Sequence, residues 1–305
     1  MTVLHVRGLT VRYPQGVRAV RGIDLTVAPG ELVALVGESG CGKSSVAKAL
    51  LGALPPGTHT GGTLDVDEVR LSEADEATWR RVRGERISYV SQNPFDAMNP
   101  LIRVGANVAE AWRIKGVRPG PAQVADALAR VGIDDAERRL RQYPHAWSGG
   151  MLQRAEIAAA SAWEPAFIVA DEPTAALDAD LADAIIVRLR EAASAVLLIS
   201  HDLALVARHA DRVLVMYGGR VVEEGTCADV LQRPRHPYSR ALLAAIPRPG
   251  HGLPVPLEGA PPDLSLDLAG CSFAPRCALA RSDCGVRAPE LVGGIACPVT
   301  GGEQR

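Results

Sequence analysis

Three blocks of uninterrupted apolar residues mark the chain: Leu32-Val33-Ala34-Leu35-Val36, Phe167-Ile168-Val169-Ala170 and Val196-Leu197-Leu198-Ile199. Short blocks without polar alternation predict strands buried on both faces, the pattern of a parallel sheet covered by helices. Ile87-Ser88-Tyr89-Val90 predicts another strand. Val3 to Val27 mixes β-branched residues with the turn Tyr13-Pro14-Gln15-Gly16 and predicts antiparallel strands. Thr63 to Val69 alternates as an edge strand does, after breaks at Leu54-Pro55-Pro56-Gly57 and Gly61-Gly62. Val213 to Tyr217 and Arg220 to Glu223, joined by Gly218-Gly219, predict a hairpin. Between Pro100 and Gln142 the pattern turns helical, with Val124, Leu128 and Val131 on one face and Gly132 as C-terminal cap. An Ala-rich helix must stop near Pro165, and Leu181, Ile185 and Leu189 mark an amphipathic helix capped by Asp178 or Asp180.

Composition narrows the class. The 305 residues suffice for one large domain with an appendage or for two modest domains. Hydrophobic residues make up 47% and aromatics only 4%, so the core must be built from Ala, Val, Leu and Ile. A net charge of -2 gives no basic field to draw nucleic acid or anionic lipid, and no nucleic-acid partner is expected. No apolar run approaches the ~20 residues of a membrane span. The start, MTVLHVRGLT, lacks the apolar core of a signal peptide. The cytosol is therefore the expected compartment, where six cysteines point to metal or reactive roles rather than disulfides.

The candidate chemistry begins where the first apolar block ends. Gly37-Glu38-Ser39-Gly40-Cys41-Gly42-Lys43-Ser44 fits GxxxxGK[ST] between a predicted strand and a predicted helix. Its glycines let backbone N–H groups converge on phosphate oxygens, and the helix N-terminus adds its positive dipole end. Lys43 is then expected on the β- and γ-phosphates and the Ser44 hydroxyl on Mg²⁺. Asp171-Glu172 close the second apolar block, at the strand end where open parallel sheets bind ligands. Asp171 is expected to hold Mg²⁺ and Glu172 to polarise the attacking water. His201 follows the third block and is a candidate γ-phosphate sensor, and Gln92 follows another strand, where it can ligate a metal or orient water. Ser148-Gly149-Gly150 opens the Ala-rich helix and offers a second anion site. Cys41 lies inside the glycine loop, where a helix N-terminus is expected to lower its thiol pKa and make it reactive.

The ordered set resembles the nucleotide-binding subunit of ABC transporters over roughly the first 230 residues. Gly37 to Ser44 is similar to Walker A, Gln92 to the Q-loop, Ser148 to Met151 to the signature, Asp171-Glu172 to the end of Walker B, Ala176 to Asp178 to the D-loop and His201 to the switch histidine. The resemblance implies an α/β fold: a P-loop NTPase (RecA-like) core with an antiparallel β subdomain and a helical insert. It implies ATP and Mg²⁺ as cofactors, with Tyr13 stacking on adenine. Gly37, Ser39, Gly40, Gly42, Lys43, Ser44 and Ser45 would cradle phosphates, while Ser44, Gln92 and Asp171 would surround the metal. It implies catalytic roles for Glu172, His201 and Gln92. It also implies a head-to-tail pair in which Ser148, Gly150 and Asp178 serve the partner's nucleotide. Met151, where many members have Gln, looks like the peptide/nickel branch.

After Gln232 the composition changes. Residues Arg233 to Leu243 resemble an element of oligopeptide/dipeptide importer ATPases, with Tyr238 to Ile246 as a short docking helix, and prolines from Pro247 to Pro262 make a stiff linker. Cys271, Cys277, Cys284 and Cys297, separated by five, six and twelve residues, can supply four thiolates. The spacing is not that of a CxxC zinc ribbon. Its resemblance to the importer tail favours a 4Fe–4S cluster, ahead of structural zinc and of free thiols. The expected domains are 1–232, with a helical subdomain at about 95–160, and a Cys-rich C-terminal extension at 233–305. The implied function is ATP-driven import of di- and oligopeptides at the cytoplasmic face of the membrane. The implied partners are a second ATPase subunit, a paralogue, two membrane permease subunits and an external binding protein. Alternatives are nickel or metallophore import, a soluble ABC ATPase of DNA repair or translation, and an ATP-binding iron–sulfur sensor.

Overall fold

The computed structural model describes residues 2–175, 177–246 and 255–300. Strands β1 (Leu4–Arg12), β2 (Arg18–Val27) and β3 (Leu32–Val36) precede α1 (Lys43–Leu50), β4 (His59–Val66) and β5 (Val69–Arg70). Next come α2 (Glu76–Val82), β6 (Ile87–Val90) and the run α3 (Pro94–Ala97), α4 (Val104–Arg113), α5 (Pro121–Arg130), α6 (Ala136–Arg139) and α7 (Gly149–Ala160). The chain continues through β7 (Phe167–Asp171), α8 (Ala179–Ala192), β8 (Ala195–Ile199) and α9 (Leu203–His209). It then forms β9 (Arg212–Tyr217) and β10 (Arg220–Thr226), followed by α10 (Cys227–Gln232) and α11 (Pro237–Ala244). These elements fall into two compact units.

The first unit comprises Met1–Leu4, Thr26–Leu32 and Asp65–Leu198. Its strands lie in the order β8-β7-β6, with β6 parallel to β7 in a register that sets Tyr89 beside Val169. The apolar block of β7 is fully buried, as a strand covered on both faces must be. The helical run packs on its own small core of Val104, Val108, Trp112, Val124, Leu128 and Leu152. Gly132 takes φ 78° just after α5, as expected of its cap. Of the two candidate caps for α8 the structure selects Asp178, whose carboxylate accepts from the Leu181 N–H at 2.9 Å.

The second unit comprises His5–Leu25, Val33–Leu64 and Ile199–Arg305. From Val33 onward β3 runs parallel to β9, and β9 forms the expected hairpin with β10. The strands β2, β1 and β4 lie side by side in a separate sheet. Here one expectation is corrected: Gly61-Gly62 do not break the pattern but lie inside β4. At Gly62, φ is 91° and a Cβ would come within 2.4 Å of the Arg7 carbonyl oxygen, so the close approach of two backbones demands glycine. The predicted edge strand is likewise split, because Asp67 and Glu68 both take positive φ and turn the chain into β5.

The C-terminal extension belongs to this second unit. Its α11 forms over Pro237–Ala244, where a short helix from Tyr238 to Ile246 is expected, with Tyr238 wholly buried. Residues 294–296 lie antiparallel to the edge of β10: the Glu224 N–H donates to the Gly294 carbonyl at 2.8 Å, and the Ala296 N–H to the Val222 carbonyl at 2.9 Å. Of the linker prolines, Pro247, Pro249 and Pro254 lie outside the described residues.

Candidate functional site

The glycine loop leaves the buried end of β3 and enters α1 at Lys43. Gly42, with φ 112° and 2.2 Å between a would-be Cβ and the Ala19 carbonyl oxygen, allows the chain to turn under β2. No side chain caps α1 and no acid lies in its first turn. Its first N–H groups therefore remain available to an anion. Lys43 is buried, and its Nζ donates to the carbonyls of Gly37 at 2.7 Å and Glu38 at 2.9 Å, which folds the ammonium over the loop. Ser39, Gly40 and Ser44 are exposed. The Tyr13 hydroxyl lies 3.0 Å from Ser45 Oγ, so the half-buried ring is tied to the first turn of α1. His201 stands exposed between the end of β8 and α9; Asp202 fixes that turn by accepting from the N–H groups of Ala204 and Leu205.

Cys41 departs from expectation. Its side chain is 5% exposed, and burial pushes its thiol pKa up more strongly than Lys43 pulls it down. The dipole argument fails because desolvation of a thiolate outweighs it.

In the first unit, Asp171 is buried at the end of β7 and Glu172 follows at φ 51°. A left-handed glutamate is uncommon and costs of order 1 kcal/mol or more, a local strain typical of functional turns. Tyr89 on β6 bonds to the Asp171 carboxylate, and burial, with the charges of Asp171 and Glu156, raises its phenol pKa to about 12. Tyr89 is thus a neutral donor that braces the acid. Gln92 is exposed just beyond β6. The preceding residue is anchored: the Ser91 N–H donates to Glu156 at 2.7 Å, and Gln153 donates to the Ser91 carbonyl at 3.4 Å and to Glu156 at 3.2 Å. Ser148 caps α7 by accepting from the Met151 N–H at 3.3 Å, with Gly150 buried in the first turn. The helix that begins at the Ser-Gly-Gly motif is therefore the one that holds the Gln92 turn. Sequence reasoning missed Tyr89, Gln153 and Glu156; the visible signal was a lone acid set among Ala155, Ile157 and Ala158.

The four tail cysteines lie in loops and short 3-10 turns, all as free thiols. The Cys271 N–H donates to the Cys284 carbonyl at 2.7 Å, and the Arg281 N–H to Cys284 Sγ at 3.4 Å. Burial is the main cause that raises the pKa of the Cys271 and Cys277 thiols, with a smaller contribution from Cys297 and Cys284 nearby. Among the described residues, no three His, Cys, Asp or Glu side chains are already gathered to hold a metal ion. Among those residues, too, no helix is long and apolar enough to cross a membrane.

In the second unit a strand, glycine loop and helix have the form of a nucleotide-binding P-loop, and in the first unit a buried strand ends at Asp171 with Glu172 next. Comparison with known proteins takes this further. Residues 20–175 match the family model described as ABC transporter, and residues 222–284 match the oligopeptide/dipeptide transporter C-terminal region. The chain is 42% identical to the dipeptide transport ATP-binding protein DppD of Bacillus subtilis, over 90% of this chain and 84% of that one. It is 43% identical to a probable peptide ABC transporter ATP-binding protein of Sinorhizobium fredii, over 90% and 85% of the two chains. The dimeric structure of the bacterial ABC transporter cassette MJ0796 matches with a TM-score of 0.64 and 27% identity, over 73% of this chain and 98% of that one. The same cassette in a post-hydrolysis state bound to ADP and Pi also gives a TM-score of 0.64, at 25% identity. The chain belongs to the ABC transporter family and is an ATP-binding, ATP-hydrolysing subunit with the RecA-like core and helical subdomain of that family. Within it, the chain is a member of the oligopeptide/dipeptide branch.

Proposed function

We propose that this chain powers the import of di- and oligopeptides. The supporting observation is the match of residues 222–284 to the oligopeptide/dipeptide transporter C-terminal region, alongside 42% identity to a dipeptide transport ATP-binding protein. In this reading the loop from Gly37 to Ser45 and the Lys43 ammonium bind the phosphates of ATP, and Tyr13 stacks on its base. Ser44, Gln92 and Asp171 offer the hard oxygen donors that suit Mg²⁺, which when bound neutralises phosphate charge. Glu172 takes a proton from the water that attacks the γ-phosphorus, and His201 contacts the γ-phosphate. Ser148, Gly150 and Asp178 act on the nucleotide of a second, paralogous ATPase in a head-to-tail pair. The pair docks on two membrane permease subunits at the cytoplasmic face, fed by an external binding protein. The proposed division is an ATPase domain at 1–232, with a helical subdomain at about 95–160, and an extension at 233–305. Cys271, Cys277, Cys284 and Cys297 take a 4Fe–4S cluster, since four free thiols in one small segment match its donor set. Iron and inorganic sulfide in equal amounts in anaerobically purified protein would support this, and zinc in their place would assign a structural zinc site.

Uptake in intact cells tests the function. A Glu172→Gln strain is expected to lose uptake of labelled dipeptide and to keep uptake of labelled nickel. Loss of nickel uptake alone would assign the metal branch, and no loss of either would overturn the importer reading.

A further inference from the structure

The second residue of the glycine loop, Glu38, is held at every polar group, and the extension holds most of it. Its N–H donates to the Tyr238 hydroxyl of α11 at 2.8 Å. Its carboxylate accepts twice from Arg276, at 2.7 Å from Nη1 and 3.2 Å from Nη2. Its carbonyl accepts from Lys43 Nζ, the ammonium expected on the phosphates. Arg276 sits in a 3-10 turn between Cys271 and Cys277, and its side chain is only 5% exposed. Its remaining donors are used as well: Nε bonds the Glu258 carbonyl at 2.7 Å, and Nη1 bonds the Tyr217 hydroxyl at 3.0 Å. The three buried rings of Tyr217, Tyr238 and Phe273 pack together with centroids 4.4 to 5.4 Å apart, beside the guanidinium. In a chain so poor in aromatics, this wall fixes both anchors of Glu38.

We propose that Arg276 and Tyr238 are positioning residues for ATP binding: the C-terminal extension clamps Glu38 and so sets the shape of the phosphate loop. The physical ground is preorganisation. A loop whose backbone must present several N–H groups at once loses affinity if it has to be ordered by the ligand itself. A bidentate guanidinium–carboxylate pair, here with the guanidinium buried and the carboxylate part-buried, is a strong directional device for holding it. Arg276 does not reach the nucleotide in this account. It acts through Glu38, and Glu38 acts through the carbonyl that steadies Lys43.

The test uses the full chain, with fluorescent ATP binding and ATPase kinetics on the wild type, Arg276→Gln, Glu38→Gln and the double variant. Arg287→Gln, which removes an exposed ion pair in the same extension, is the control. Wild-type binding in the same assay secures the ATP reading independently of the clamp. Each clamp variant is expected to weaken ATP binding roughly tenfold, in KM more than in kcat, while the double variant is no worse than either single one and Arg287→Gln matches the wild type. A purely structural brace would lower the melting temperature and leave the affinity of the folded protein unchanged. That result in both single variants would overturn the proposal. Glu38→Gln keeps the shape of the side chain and carries the test should Arg276→Gln fail to fold.

Discussion

At the scale of single residues, Glu156 is where charge and burial conflict most openly. It is 7% exposed, and desolvation raises its carboxyl pKa to about 7 against the bonds from Ser91 and Gln153, which favour the charged form. Because the folded pKa lies above the unfolded one, the folded state binds more protons between about pH 4.5 and 7, and stability falls as pH rises through that window. Above pH 7 the carboxylate is charged in both states and the full cost of burying it is felt. Glu156→Gln can still accept from the Ser91 N–H and carries no charge. Its melting temperature is expected to exceed that of the wild type at pH 8, by a stability gain of roughly 2 to 3 kcal/mol, and to converge with it near pH 4.5. A pH-independent difference between the two melting curves would show that the proton is not the cause. Cys41 teaches the same lesson from the other side. Its position in the chain suggested activation, whereas its burial makes it a small apolar filler beside Lys43.

At the scale of elements, the strands that carry the chemistry were legible because nothing polar interrupts them. The blocks at β3, β7 and β8 are fully buried, and each is followed at once by its candidate site residues. The helical insert was readable for a similar reason, since the periodicity of Val124, Leu128 and Val131 agrees with the Gly132 cap, whereas α11 was expected from the resemblance of its segment to importer ATPases. What was not legible is any feature whose cause lies on another strand. Gly61-Gly62 read as a break because glycine usually is one, yet Gly62 answers to the backbone of β1. This separation can be measured. Gly16 has φ 89° and open space around a would-be Cβ, so Gly16→Ala carries only left-handed strain, about 1 kcal/mol. Gly62→Ala adds a backbone collision and is expected to cost about 3 kcal/mol or more. Equal melting temperatures for the two variants would mean that conformation alone, and not close approach, selects glycine in β4.

For the whole molecule, the change of composition after Gln232 suggests an appendage, but the second unit is knit to that appendage along its length. The Arg276 and Glu38 partners lie 238 residues apart in the chain, so no local pattern could announce them. The Arg18 N–H donates to the Leu264 carbonyl at 2.9 Å, Arg21 donates to Leu264 and Leu266, and residues 294–296 line the edge of β10. A chain ending at Gln232 would leave Tyr217 without Tyr238 and Phe273, the β10 edge unpaired and Glu38 without its clamp. Uncovering an aromatic ring of this size, with its apolar neighbours, costs about 4 kcal/mol. For a domain of this size that corresponds to a melting temperature lowered by roughly 10 °C. The exposed edge strand adds a tendency to aggregate. We therefore expect the truncated chain to express poorly, to melt well below the full chain by circular dichroism, and to bind ATP weakly even when folded at low temperature. A truncated chain that melted with the full protein would make the extension a passenger on a self-sufficient ATPase. One that melted low but bound ATP with undiminished affinity would confine the extension to holding the fold together, and would remove it from the phosphate site.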